Sequence, residues 1–403
     1  MEKLKHKCSD IVAEAVDNEW YHAPLPSQIS NIVLESVLRR YTEFPDAKFE
    51  KYSSVFRNAT KVNWTFGDMS LLATNFLRSL ILEELKLPRF VENLKDWSGR
   101  DSDSTIQFNI AVIFRRVLSQ ESCQTLETLS LHGGILNSGK FSLKLNKGWV
   151  IQLSGHLINL KHLEVTKCDI SAEFSQICTS LRNLTSLNLS ATNVTNLSGI
   201  SNLENLEILN LNETRIRESH DFLELFLLKH LKKLSLVGSE SFQSENVRFF
   251  FEGINMGMVL SKLEFLNISK NFVAFENLMR LVENHSKLKT IALVDFPGIC
   301  LNFDEILDPG QNLRIVRSDT VDHLLYAIYF FASEANFCSE TLFLALNQLL
   351  KLLETFGCSN AFSDDSRRNM MGAINFVMGD HMEKEEIREV TYRLLMILCR
   401  FVI

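Results

Sequence analysis

Leucines return in a fixed phase along the middle of the chain. LKHLEVTKCDI from Leu160, LTSLNLSATNV from Leu184, LEILNLNETRI from Leu206 and LEFLNISKNFV from Leu263 share the frame LxxLxLxx, followed by Cys, Thr or Asn. Weaker copies begin at Leu126, Leu231 and Leu288, and the starts at Leu160, Leu184, Leu206 and Leu231 lie 24, 22 and 25 residues apart. Side chains alternate across a strand, so the LxL step predicts a short strand whose leucines enter a shared core while the residues between them face outward. The eighth place after the first Leu holds Cys168, Thr192, Thr214, Ser239 or Asn271. These are small polar or thiol side chains, suited to bonding backbone groups in the tight turn that ends the strand. The interval from Leu231 to Leu263 is 32 residues, and its ENVRFFFEGINMGMVLSKL has helical spacing that predicts a helix on the convex side. Leu82 and Ala59 open earlier echoes, so the array starts near residue 55.

A period of about 20–29 residues is that of leucine-rich repeats. After Leu313 the apolar spacing changes to three and four over 319–335, 339–356, 364–380 and 384–402, which predicts two helical hairpins of armadillo or HEAT type stacked on the end of the array as a cap. The expected fold is therefore an α/β leucine-rich-repeat solenoid, a horseshoe. It has N-terminal helices over 1–54, repeats over 55–316 and an α-helical armadillo-like domain over 317–403.

Composition narrows the function. The chain has 403 residues, 46% hydrophobic and 23% charged, ample for a buried core. Its longest apolar run, Leu324 to Ala332, falls short of the roughly 20 residues that cross a bilayer, and the N-terminus lacks a secretory pattern, so no membrane partner is expected. The net charge is −7 and the basic residues form no stripe, which argues against nucleic acid. The eight cysteines include no CxxC pair, and no metal or cofactor is expected. The widely spaced thiols suit the reducing cytoplasm or nucleus.

The first residues carry the most specific signal. Leu4, Cys8 and Val12 recur at four-residue steps over a helix spanning residues 3–17, so they share one face. HAPLP breaks that helix, Pro26 starts a second one, and Leu25 precedes it in position to staple its first turn. LKHKC followed by Val12 resembles an elongin-binding box, and LPSQI resembles a cullin box. Ahead of leucine-rich repeats and armadillo-like helices, the pair resembles the zyg-eleven and zer-one family of cullin-2 ubiquitin-ligase substrate receptors. The resemblance implies a non-catalytic subunit in which Leu4, Cys8 and Val12 face elongin C, bound with elongin B. Leu25, Pro26 and Ile29 would face cullin-2, and a protein substrate is held elsewhere.

Asn188, Asn210 and Asn267, flanked by Ser186, Ser190, Asn212 and Ser269, fall on outward strand positions and form a candidate substrate row. Three other readings stay open. LPSQISNIVLESVLRR also resembles the opening of an F-box, which binds a Skp adaptor, and a plain interaction scaffold fits the repeats. A cysteine-based ligase would use Cys338, Cys358 or Cys399 with His323 or His381 as base.

Overall fold

The computed structural model describes residues 2–18, 20–41, 43–65, 70–88, 99–100, 106–108, 110–133, 143–145, 147–239, 245–296, 312–356, 362–380 and 385–399. Two compact units emerge, Met1–Leu209 with Thr214–Leu231, and Asn210–Glu213 with Lys232–Ile403.

In the first unit, Lys61–Asn63, Glu84–Leu87, Thr128–His132, His162–Thr166 and Ser186–Asn188 pair in that order, all parallel. With the opening leucine of each repeat as position one, positions four and six point inward. Leu85, Leu129, Leu163 and Leu187 form one buried layer, and Leu87, Leu131, Val165 and Leu189 form the next. Each such burial contributes roughly 2 kcal/mol. Positions three and five point to the other face.

The turn chemistry expected at the end of each strand is present. Cys168 Sγ donates to Thr166 O at 3.1 Å and Thr192 Oγ1 to Leu189 O at 2.7 Å. The residue just before takes a left-handed backbone at Lys167, Ala191, Glu213, Lys270 and Asp295, with φ between 52° and 59°. An isolated non-glycine residue in that region signals strain. Here it recurs at the same place in five repeats, as the geometry that swings the chain out of the strand; the repeats from Leu126 and Leu231 hold Gly133 and Gly238 there instead. A small sheet of Gly99–Arg100, Ile106–Phe108 and Leu143–Leu145 branches from the long intervals between strands, and the repeat frame gave no sign of it.

The helices Glu2–Asp17 and Ser27–Leu38 pack on each other at the N-terminal end. Asn31 Oδ1 accepts the backbone N–H groups of Thr60 and Lys61 at 2.8 and 3.1 Å, so the second helix occupies the free edge of the first strand. Phe44, Tyr52, Phe56, Trp64 and Phe76 fill the space beneath.

In the second unit, Lys233–Ser235, Phe265–Asn267, Thr290–Leu293 and Arg314–Arg317 are again parallel. Asn271 Nδ2 donates to Leu236 O and Ser269 O, both at 2.8 Å, completing the same turn. The helix expected in the long interval runs over Glu245–Asn255.

Four helices follow, Val321–Ser333, Ala335–Phe356, Asp364–Asp380 and Glu385–Cys399. The first packs on the second and third, and the fourth packs on the second and third, as in two stacked hairpins. Their placement differs from the expected end cap. Phe265, Ala292, Val294 and Val316 share one core with Leu324, Ile328, Phe331, Leu342 and Leu346, so the helices lie on the outward face of these strands. The expected boundary near residue 316 therefore divides no core. The physical reason is the chemistry of the outward positions, which carry aromatic and small apolar side chains that need cover.

Candidate interaction surfaces

The opening helix is pinned by one side. Ser9, Ala13 and Val16 are buried, and Ser36 Oγ donates to Asp10. Asp17 accepts the Tyr52 hydroxyl and pairs with Lys48 Nζ at 3.2 Å, while Lys51 donates to Val16 O. Burial and the bond to Asp17 push the Tyr52 phenol well above its usual range.

At 100° per residue, Cys8 and Ile11 fall on a different side from that buried face, while Val12, one turn before Val16, lies at its edge. Cys8 is exposed, Ile11 is 67% exposed and Val12 is half-buried. The sequence motif omitted Ile11, which this side includes. Leu4 lies on the same helix, and its side chain lies outside the described residues.

On the second helix, Pro26 and Ile29 are exposed. Leu25 is not available to a partner, being 4% exposed. Its N–H donates to Val55 O at 3.0 Å and Asn58 Nδ2 donates to its carbonyl at 2.8 Å, so it belongs to the N-terminal core.

The candidate substrate row divides sharply. Ser186 and Asn188 are half-exposed, with Asn188 Nδ2 donating to Glu164 at 3.0 Å. Ser190, Asn210, Asn212, Asn267 and Ser269 are buried. Asn212 Oδ1 accepts from Ser235 Oγ and from the Val237 N–H, at 2.7 and 2.8 Å. Asn267 Nδ2 donates to Thr341 Oγ1 at 2.7 Å, beneath the helices, and Ser269 Oγ donates to Asn267 Oδ1. These residues satisfy internal backbone and side-chain groups, and they do not form an open row.

The outward face that remains open belongs to the first unit. Its third positions are Glu84, Thr128, His162 and Ser186, and its fifth positions are Lys86, Ser130, Glu164 and Asn188. Burial acts to raise the Glu84 carboxyl, yet Lys86 at 2.7 Å and Lys61 at 3.3 Å hold it below the usual carboxylate range. Partial burial lowers the His162 imidazole, with Lys161 acting in the same sense and Glu127 and Glu84 against it. A shallow groove of about 340 Å³ runs along the entry edge of these repeats past Asn159, Asn183 and Asn205. Asn159 and Asn183 spend their amides on Gln124 O and Ile158 O.

The cysteine-nucleophile reading finds little support. Cys338 is 1% exposed and burial pushes its thiol well above the usual value, the opposite of what a thiolate nucleophile needs. Cys399 is exposed, and His323 bonds Asp319 at 2.8 Å. Cys358 and His381 lie outside the described residues. Among the described residues no His, Cys, Asp or Glu side chains gather as a metal site, and no helix is long and apolar enough to cross a membrane.

Parallel strands, one per repeat, closed by buried leucines make this a leucine-rich-repeat fold. No family model matches the chain. It is 30% identical over 194 residues to Gastrulation-defective protein 3 of Caenorhabditis elegans, a match covering 48% of this chain and 26% of that protein. The chain thus spans about a quarter of the length of that curated relative. Among solved structures, it resembles internalin C2 of Listeria monocytogenes, with 19% identity, TM-score 0.33 and coverage of 50% of this chain and 84% of that one. Internalin F of the same organism has 13% identity, TM-score 0.34 and coverage of 73% and 77%.

Proposed function

We propose that the chain is a non-catalytic substrate-recognition subunit of a cullin-2 and elongin ubiquitin ligase, acting in the cytoplasm or nucleus. The observation that carries this reading is the opening helix, buried along Ser9, Ala13 and Val16 while Cys8 and Ile11 remain open. A helix whose own fold uses one side and leaves an apolar side in water is suited to insert that side into a partner's groove. In this reading Leu4, Cys8 and Val12 meet elongin C, joined with elongin B, and Pro26 and Ile29 on the second helix meet cullin-2. Leu25 drops out of the cullin contact and becomes the staple that sets the second helix. The stacked C-terminal hairpins are read as armadillo-like. Catalysis comes from the partners, and the receptor raises the effective concentration of target lysines near the charged enzyme.

Co-purification with elongin B and C tests the reading. Wild-type chain is expected to retain the pair, and Leu4→Ala with Cys8→Phe is expected to lose it. Because Cys8 is exposed, Cys8→Phe alone leaves the melting temperature unchanged. Equal retention by wild type and double variant, or capture of a Skp-type adaptor instead, overturns it.

A further inference from the structure

We infer that the outward face of the first-unit strands binds an extended peptide segment of a partner protein through a lysine or arginine side chain seated on Glu164. Glu164 sits at a fifth repeat position, half-exposed, between Ser130 and Asn188 on the neighbouring strands. Ser130 Oγ donates to Oε2 at 2.8 Å and Asn188 Nδ2 to Oε1 at 3.0 Å, so the carboxylate is held in place by uncharged donors.

The surrounding charges single it out. Glu84 is neutralised by Lys61 and Lys86, and Glu127 pairs with Lys161 at 2.6 Å. His162, in the same strand, makes no ion pair with Glu164, and desolvation lowers its imidazole pKa. Among the described residues no ion pair reaches Glu164, which leaves one fixed, uncompensated negative charge on the open face. A charge-assisted hydrogen bond from a cation is the strong interaction such a carboxylate can add. Thr128, His162 and Ser186 beside it supply short donors and acceptors for a peptide backbone. The companion face in the second unit offers no such place, since Asn267, Ala292 and Val316 are covered.

This inference goes beyond the receptor reading and does not require it, so failure of elongin capture leaves it standing. Immobilised alanine-serine peptides carrying a single central lysine, arginine, norleucine or glutamate, probed with the purified full chain, provide the test. Wild type is expected to prefer the lysine and arginine peptides. Glu164→Gln is expected to weaken them about tenfold while leaving norleucine binding unchanged. Asn188→Ala, which frees one carboxylate oxygen, gives an intermediate loss, and Glu127→Gln keeps the full preference. Absence of a basic preference in wild type, or its survival in Glu164→Gln, overturns the assignment.

Discussion

At the fifth repeat position the first unit holds Lys86, Ser130, Glu164 and Asn188, and the second holds Ser235, Asn267, Ala292 and Val316. The third position shows the same divergence, with His162 and Ser186 in one unit and Phe265 and Thr290 in the other. One backbone frame thus supports two different surfaces. The strands bearing Lys86, Glu164 and Asn188 keep a wet face, and the strands bearing Phe265, Ala292 and Val316 acquire a helical cover. The inward leucines are alike in both units, so it is the outward residues that decide whether a repeat face is a binding surface or half of a core.

The largest test of that contrast is Phe265→Ala. Its ring stacks on Phe330 at 6.4 Å and meets Phe337 edge-on at 5.5 Å, so truncation is expected to cost about 3–4 kcal/mol. His162→Ala, at the same repeat position, is expected to stay within about 0.5 kcal/mol. Urea unfolding of both variants checks the pair, and similar midpoints would break the contrast.

The asparagines give a smaller difference. Asn267→Ala leaves Thr341 and the Ser269 backbone without a buried partner, an expected loss of about 1–3 kcal/mol. Asn188→Ala, on the wet face, is expected to cost less than about 1 kcal/mol because water replaces the lost bonds.

The smallest effect is a pH dependence in the second unit. His285 Nε2 accepts the Leu260 N–H at 3.1 Å and Nδ1 donates to Leu281 O at 2.9 Å, which fixes the neutral ring. Burial lowers its folded pKa below the ordinary 6.5. The unfolded chain therefore binds the proton first, and the contribution of His285 is complete above about pH 6.5 and declines as pH falls through the folded value. Melting temperatures across pH 7.5 to 5 are expected to fall more steeply for wild type than for His285→Gln, and parallel curves would remove His285 as the cause.

The repeats were legible because a stacked strand needs an apolar residue at every fourth and sixth position, and that demand is local. The C-terminal helices were equally legible, with Asp364–Asp380 matching the expected 364–380. Their docking site was not. It depends on contacts such as Asn267 to Thr341, 74 residues apart, which no periodicity reports. A signal did exist in the outward residues, where Phe265, Ala292 and Val316 break the polar habit of Lys86 and Glu164. On the opening helix the spacing marked the side holding Cys8 and Val12, while the burial of Leu25 follows from its backbone bonds to Val55 and Asn58.

Asn31 gives the N-terminal pair of helices a second task. By holding the Thr60 and Lys61 amides it closes the side of the sheet on which another strand would otherwise add. A truncated chain beginning after Leu38 would present that row of donors to its own copies, and self-association into fibres or clumps would accompany any loss of a docking partner.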